Sequence, residues 1–94
     1  MDPVQTAEKK FVIRSKLGLH ARPAALFVRT ANRFRSDVTI QKGKHKVNGK
    51  SIMGVMMLAA GPGSHITVRI VGPDAERAMD EIEKLIDSNF GEKD

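Results

Sequence analysis

Gly18-Leu19-His20-Ala21-Arg22-Pro23 sets a titratable ring between two stretches of different periodicity. Upstream, Phe11-Val12-Ile13-Arg14 alternates as a strand does, and downstream Ala24-Ala25-Leu26-Phe27-Val28 opens a pattern of helical period. His20 therefore stands at or beside the N-cap of a helix. The first amides of a helix have no intrahelical acceptor and lie at the positive end of its dipole, so an anion carried near His20 would meet N–H donors already aimed at it. Arg22 adds a permanently charged fork that matches phosphoryl oxygens as a lysine cannot. Pro23 suits a first helical turn, where its missing N–H costs little, yet it steers Arg22 away from the α region. Taken alone, a histidine ahead of a helix is more often a polar cap than a nucleophile. With Arg22 and the helix start added, phosphate chemistry and a plain cap stand as two even readings.

The 94 residues suit one domain over 1–94, and a chain of this size buries roughly 60–70% of its unfolded surface, enough for one core. There is no cysteine, which removes disulfide frameworks and thiolate metal sites. His20, His45 and His65 have no close-spaced acidic or cysteine partners, so neither a metal nor a cofactor is expected. The longest apolar run falls far short of the roughly 20 residues that span a bilayer, and Met1–Ala7 lacks a signal-peptide core. The expectation is a cytoplasmic protein without membrane insertion. A formal net charge of +5 favours an acidic partner. Tyr and Trp are absent, and without paired stacking aromatics nucleic acid is the weaker choice of partner.

Along the chain, Met1–Ala7 reads as a fraying lead-in and Glu8–Ser15 as a strand with Phe11 and Ile13 on its covered side. A helix from Ala21 to about Asn32 buries Ala24, Phe27, Val28, Ala31 and Phe34; Arg22, Arg29 and Arg33 lie on another face. Arg33 reads as solvated surface and Arg29, nearer His20, as a docking residue. Asp37–Gln41 and His45–Asn48 form a hairpin through Lys42-Gly43-Lys44. Ser51 reads as the N-cap of a short helix over Ile52–Leu58. There Ile52, Val55, Met56 and Ala59 share a face that could meet the core, leaving Met53 either as an adaptable docking residue or as core filler. Gly61-Pro62-Gly63 ends that helix, and His65–Val71 is the most strand-like run, with Ile66, Val68 and Ile70 inward. From Pro73-Asp74 a last helix turns Ala75, Ala78, Met79, Ile82, Leu85 and Ile86 to the core; Phe90 packs back and Gly91–Asp94 frays. The order strand-helix-strand-strand-short helix-strand-helix gives an α+β class: a four-stranded, mostly antiparallel sheet with helices on one face.

Gly18-Leu19-His20-Ala21-Arg22-Pro23-Ala24, followed downstream by Asn48-Gly49-Lys50-Ser51-Ile52-Met53-Gly54-Val55-Met56, closely resembles the HPr family. These are the histidine-containing phosphocarriers of the bacterial phosphoenolpyruvate-dependent sugar phosphotransferase system. The resemblance runs from about Glu8 to Asp87, with both motifs in the family's order and separation. It implies an open-faced β-sandwich and a relay rather than an enzyme. His20 would take a phosphoryl group on Nδ1 from enzyme I and pass it to IIA domains of sugar permeases or to regulatory targets. Arg22 would stabilise that group, and Ser51 matches the serine that a dedicated kinase, HPr kinase/phosphorylase, phosphorylates in many members. Arg29, Ile52, Met53 and Met56 are the expected partner-binding residues, on a monomer.

Two other classes compete. A small RNA-binding module would use the same basic charge but lacks stacking aromatics. A histidine-nucleophile hydrolase needs a general acid and a pocket, and no acid stands close to His20 in the sequence.

Overall fold

The computed structural model describes residues 4–92. Strands β1 (Gln5–Val12), β2 (Asp37–Lys42), β3 (His45–Asn48) and β4 (His65–Gly72) and helices α1 (Ala21–Ala31), α2 (Ile52–Met57) and α3 (Ala75–Asp87) follow in the order β1-α1-β2-β3-α2-β4-α3, closed by a 3-10 turn at Asn89–Gly91. The sheet order is β1-β4-β2-β3, and every neighbouring pair is antiparallel. The β1-α1-β2 connection thus spans β4, and β3-α2-β4 spans β2. Two interleaved crossovers lay all three helices on one face of an open-faced sandwich.

The period-two rule explains why this sheet has one dry side. Ile66, Val68 and Ile70 of β4 and Val38 and Ile40 of β2 are buried beneath the helices. Thr39, Gln41, Lys46, Thr67 and Arg69 line the opposite, open face. Helical spacing supplies the matching layer: Ala24, Phe27, Val28 and Ala31 from α1, and Ala75, Ala78, Met79, Ile82 and Ile86 from α3. A fully buried Phe27 contributes on the order of 2–3 kcal/mol through area removed from water alone.

Three expectations are corrected. Residues 5–7 do not fray: Gln5, Thr6 and Ala7 pair with Gly72, Val71 and Ile70. The strand begins earlier than its apolar alternation because its first residues are polar or small and its partner strand dictates the length. At the far end the fraying expected over 91–94 fails for Gly91 and Glu92, since the Gly91 amide bonds Ser88 and Glu92 bonds Ser15. Residues 1–3 and 93–94 lie outside the described residues. Finally, α2 turns Val55 inward, followed by Leu58, whereas Ile52, Met56 and Ala59 remain exposed. This helix lies against α1 and the edge strand β3 rather than flat on the sheet, so a narrower stripe suffices to bury it.

Two polar joints fix the loops. Asp74 heads α3, but its carboxylate bonds the Ser36 hydroxyl at 2.5 Å and the Arg35 and Ser36 amides at 3.0 Å each, tying the α1–β2 loop to the start of α3. The Ser36 hydroxyl and the Arg35 amide stabilise the ionised form and lower the carboxyl from its usual 3.8 to about 2. The second joint is at Gly18, whose φ is +69° and where a Cβ would stand 2.3 Å from the Ala60 carbonyl oxygen. The Leu19 amide bonds that same oxygen at 2.8 Å.

Both joints give measurable outcomes. The unfolded chain protonates Asp74 at a higher pH than the folded protein does, so this carboxylate's stabilisation is present above pH 3.8 and is lost as pH falls towards 2. Asp74→Asn should therefore melt lower than wild type at neutral pH and show a flatter loss of melting temperature across that acid window; parallel curves would refute the linkage. Gly18→Ala meets both left-handed backbone and backbone atoms, and should cost about 2–3 kcal/mol in urea denaturation. Gly43→Ala, at φ +59° with nothing within 4 Å, should cost only about 1–2 kcal/mol.

Candidate functional site

The Gly18 joint delivers His20 to the start of α1. His20 is the N-cap residue, with φ −76° and ψ −171°, and its ring makes no capping hydrogen bond. An Asn or Asp there would accept from the first-turn amides; here the imidazole stays free of that task. The Ala24 amide bonds the His20 carbonyl at 3.0 Å, and Pro23 has no N–H. The amides of Ala21 and Arg22 are left without an acceptor among the described residues. These two donors and the helix dipole are the anion-receiving feature expected at this end.

Arg22 is half exposed, and its guanidinium reaches towards the end of the chain. Nη2 donates to the Phe90 carbonyl at 2.8 Å and Nη1 to Glu92 Oε1 at 3.3 Å. Two nitrogens are thus engaged, while the exposed edge of the fork retains donors for an incoming anion.

Glu92 is the residue that sequence reasoning missed. Its Oε1 stands 3.5 Å from His20 Nε2, and the hydroxyl of the fully buried Ser15 lies 3.0 and 2.9 Å from its two oxygens. An acid does stand beside His20 in space, although none does in sequence. The chain gets there through three successive left-handed residues: Asn89 at φ +54°, Phe90 at +56° and Gly91 at +71°. Such backbone is costly for a phenylalanine, and burial of the Phe90 ring, 2% exposed, offsets it. The available signal was an apolar residue followed by glycine after a polar helix end, which marks an anchored reversal.

Beside the ring runs a cleft of about 270 Å3, floored by Leu19 and Ala60 and edged by Leu17, Met56, Ala59 and Gly61. Leu17, Met53 and Met57 are 74%, 73% and 76% exposed, and Ile52 and Met56 are 46% and 44% exposed. A surface this apolar on a small protein is the usual mark of a docking site. Arg29 sits exposed in the last turn of α1, two turns or about 10 Å along the helix from Arg22. The structure therefore joins His20, Arg22 and Met56 in one region and leaves Arg29 at the other end of α1. Ser51 caps α2, its hydroxyl accepting the Gly54 amide at 3.0 Å. His45 and His65 are exposed on strands, and no metal-binding cluster occurs among the described residues.

Comparison with known proteins matches residues 7–88 to the family model described as the phosphorylation site of the PTS HPr component. The HPr-like protein Crh of Halalkalibacterium halodurans is 51% identical over 80 residues, 85% of this chain and 95% of that protein. The phosphocarrier protein HPr of Xylella fastidiosa is 45% identical over 85 residues, 90% of this chain and 96% of that protein. The crystal structure of HPr-C-His from Thermoanaerobacter tengcongensis superposes with a TM-score of 0.90 at 46% identity, covering 93% of this chain and 98% of the other. Similarity of this extent, laid over an uncapped histidine at a helix start, shows that the chain belongs to the HPr family, the phosphocarriers of the phosphotransferase system.

Proposed function

We propose that the protein relays phosphoryl groups through Nδ1 of His20, accepting them from enzyme I and passing them to IIA domains of sugar permeases or to regulatory targets. The observation that carries this reading is the ring of His20 at the N-cap of α1, free of any capping bond and next to the two unpaired amides of Ala21 and Arg22. Arg22 stabilises the transferred group with the donors its tail contacts leave over. The protein turns over no small substrate itself: its cleft is shallow and open, and partner enzymes complete the transfer site. In this reading it works in the cytoplasm, as a monomer, without metal, cofactor, nucleic acid or membrane insertion.

Docking combines the apolar surface of Ile52, Met53 and Met56 with the basic Arg29, meeting an acidic partner surface whose attraction speeds encounter. Ser51 is the regulatory position, the substrate of HPr kinase/phosphorylase. As N-cap of α2, it places the charge of a phosphoserine, about −1.5 to −2, favourably against the helix end and unfavourably towards an acidic partner. The nearness of Glu92 to His20 answers one objection to a hydrolase, yet the open cleft has nowhere to enclose a substrate.

Incubation with phosphoenolpyruvate and enzyme I should add one phosphoryl group by intact mass, lost in acid and retained in base. His20→Ala should abolish it. Label persisting in that variant, or found on His45 or His65, overturns the assignment, and release of inorganic phosphate without a partner favours the hydrolase. For Ser51, the alanine variant should lose about 0.5–2 kcal/mol of stability through the missing cap while still relaying phosphate. Ser51→Asp should remain folded and accept phosphate severalfold more slowly. Wild-type transfer by a folded Ser51→Asp would leave Ser51 as a cap only.

A further inference from the structure

We propose that Glu92 is a positioning residue for His20: its carboxylate faces Nε2, holds the ring proton there, and so presents Nδ1 as the bare, nucleophilic nitrogen. The inference rests on the phosphocarrier reading above, and it concerns a residue beyond the 7–88 stretch that the family match covers. An imidazole with one proton has one donor and one acceptor nitrogen, and whatever the first nitrogen faces decides which is which. Here the group facing Nε2, at 3.5 Å, is a carboxylate, whose oxygens accept. Nδ1 is left with its lone pair and, with no capping bond to make, nothing else to satisfy.

The carboxylate is itself held. The hydroxyl of Ser15 reaches both its oxygens, at 3.0 and 2.9 Å, and Arg22 Nη1 reaches Oε1 at 3.3 Å. Ser15 is one of three buried polar side chains among the described residues, and this carboxylate is its partner. Its backbone carbonyl also accepts the Gly18 amide at 2.9 Å. One buried serine therefore fixes both the loop that carries His20 and the acid that orients it.

In the transfer, the Nδ1 lone pair forms the N–P bond as the bond from phosphorus to the donor breaks, and the donor keeps that electron pair. The ring gains positive charge shared with Nε2–H, which the Glu92 carboxylate faces. At 3.5 Å the contact is an ion-pair distance rather than a formed hydrogen bond, and it faces the ring in the sense of the orienting half of a carboxylate–histidine pair.

Nitrogen-15 NMR of the His20 ring in the full chain, in its neutral form, reads the tautomer directly and needs no partner protein. Wild type should be almost wholly Nε2-protonated. In Glu92→Ala, and in Ser15→Ala which releases the carboxylate, the Nδ1-protonated form should rise severalfold. Acceptance of phosphate from phosphoramidate, a small donor that bypasses docking, should fall on the order of tenfold in Glu92→Ala, with melting temperature confirming the fold. Unchanged tautomer populations in folded Glu92→Ala overturn the proposal, whatever the transfer rate. Absence of any phosphorylation of wild-type His20 by phosphoenolpyruvate and enzyme I would instead strike the phosphocarrier reading, leaving the tautomer result to stand by itself.

Discussion

The hydrogen bond from the Leu19 amide to the Ala60 carbonyl, 2.8 Å long, is the contact on which the site depends. It joins the loop that leads into α1 to the loop that leaves α2, and it is possible only because Gly18 has no Cβ to strike that carbonyl. Everything placed around His20 follows from this approach. The ring is brought beside Met56 and Ala59, the start of α1 faces solvent, and the cleft between the two loops opens beside the imidazole. The sheet below supplies stiffness but no chemistry, as befits a fold whose function sits where loops meet helix ends.

That division explains what was legible in the sequence. Burial on one face writes itself as alternation, so the run from Ile66 to Ile70 declared β4, and the spacing from Ala75 to Ile86 declared α3. The motif at His20 was legible as a helix start because Pro23 and the apolar period after it leave few alternatives. The first residues of β1 were not, since Gln5, Thr6 and Ala7 are in the sheet through pairing with β4 rather than through any apolar pattern. Nor was the orientation of α2: six residues with apolar side chains nearly all round specify a helix without specifying which face is covered. Glu92 was invisible for a different reason. Its partners Ser15 and Arg22 lie 77 and 70 positions away in the chain, and periodicity carries no information over such separations.

Charge is used in two distinct ways in this molecule. Asp74 is committed to structure, bonding two amides and a hydroxyl so fully that it stays ionised well into acid. Around His20 the ionic contacts are partly open to water and shared: one carboxylate oxygen serves Ser15, Arg22 and the imidazole together. A carboxylate shared among partners that are partly open to water can exchange one of them for another, whereas one as deeply satisfied as Asp74 could not move without opening the fold.

The left-handed turn through Asn89, Phe90 and Gly91 has a consequence for how the chain is handled by proteases. The turn brings the polypeptide back to the functional surface only at its last described residues, after the core has been completed by Phe90. Proteolytic removal of the residues beyond Gly91 would leave every strand and helix in place; the Glu92 carboxylate would go from beside His20 and Arg22, Ser15 would lose its partner, and a new terminal carboxylate would stand at Gly91. Which carboxylate stands beside His20 is thus decided by a residue that the core itself does not require.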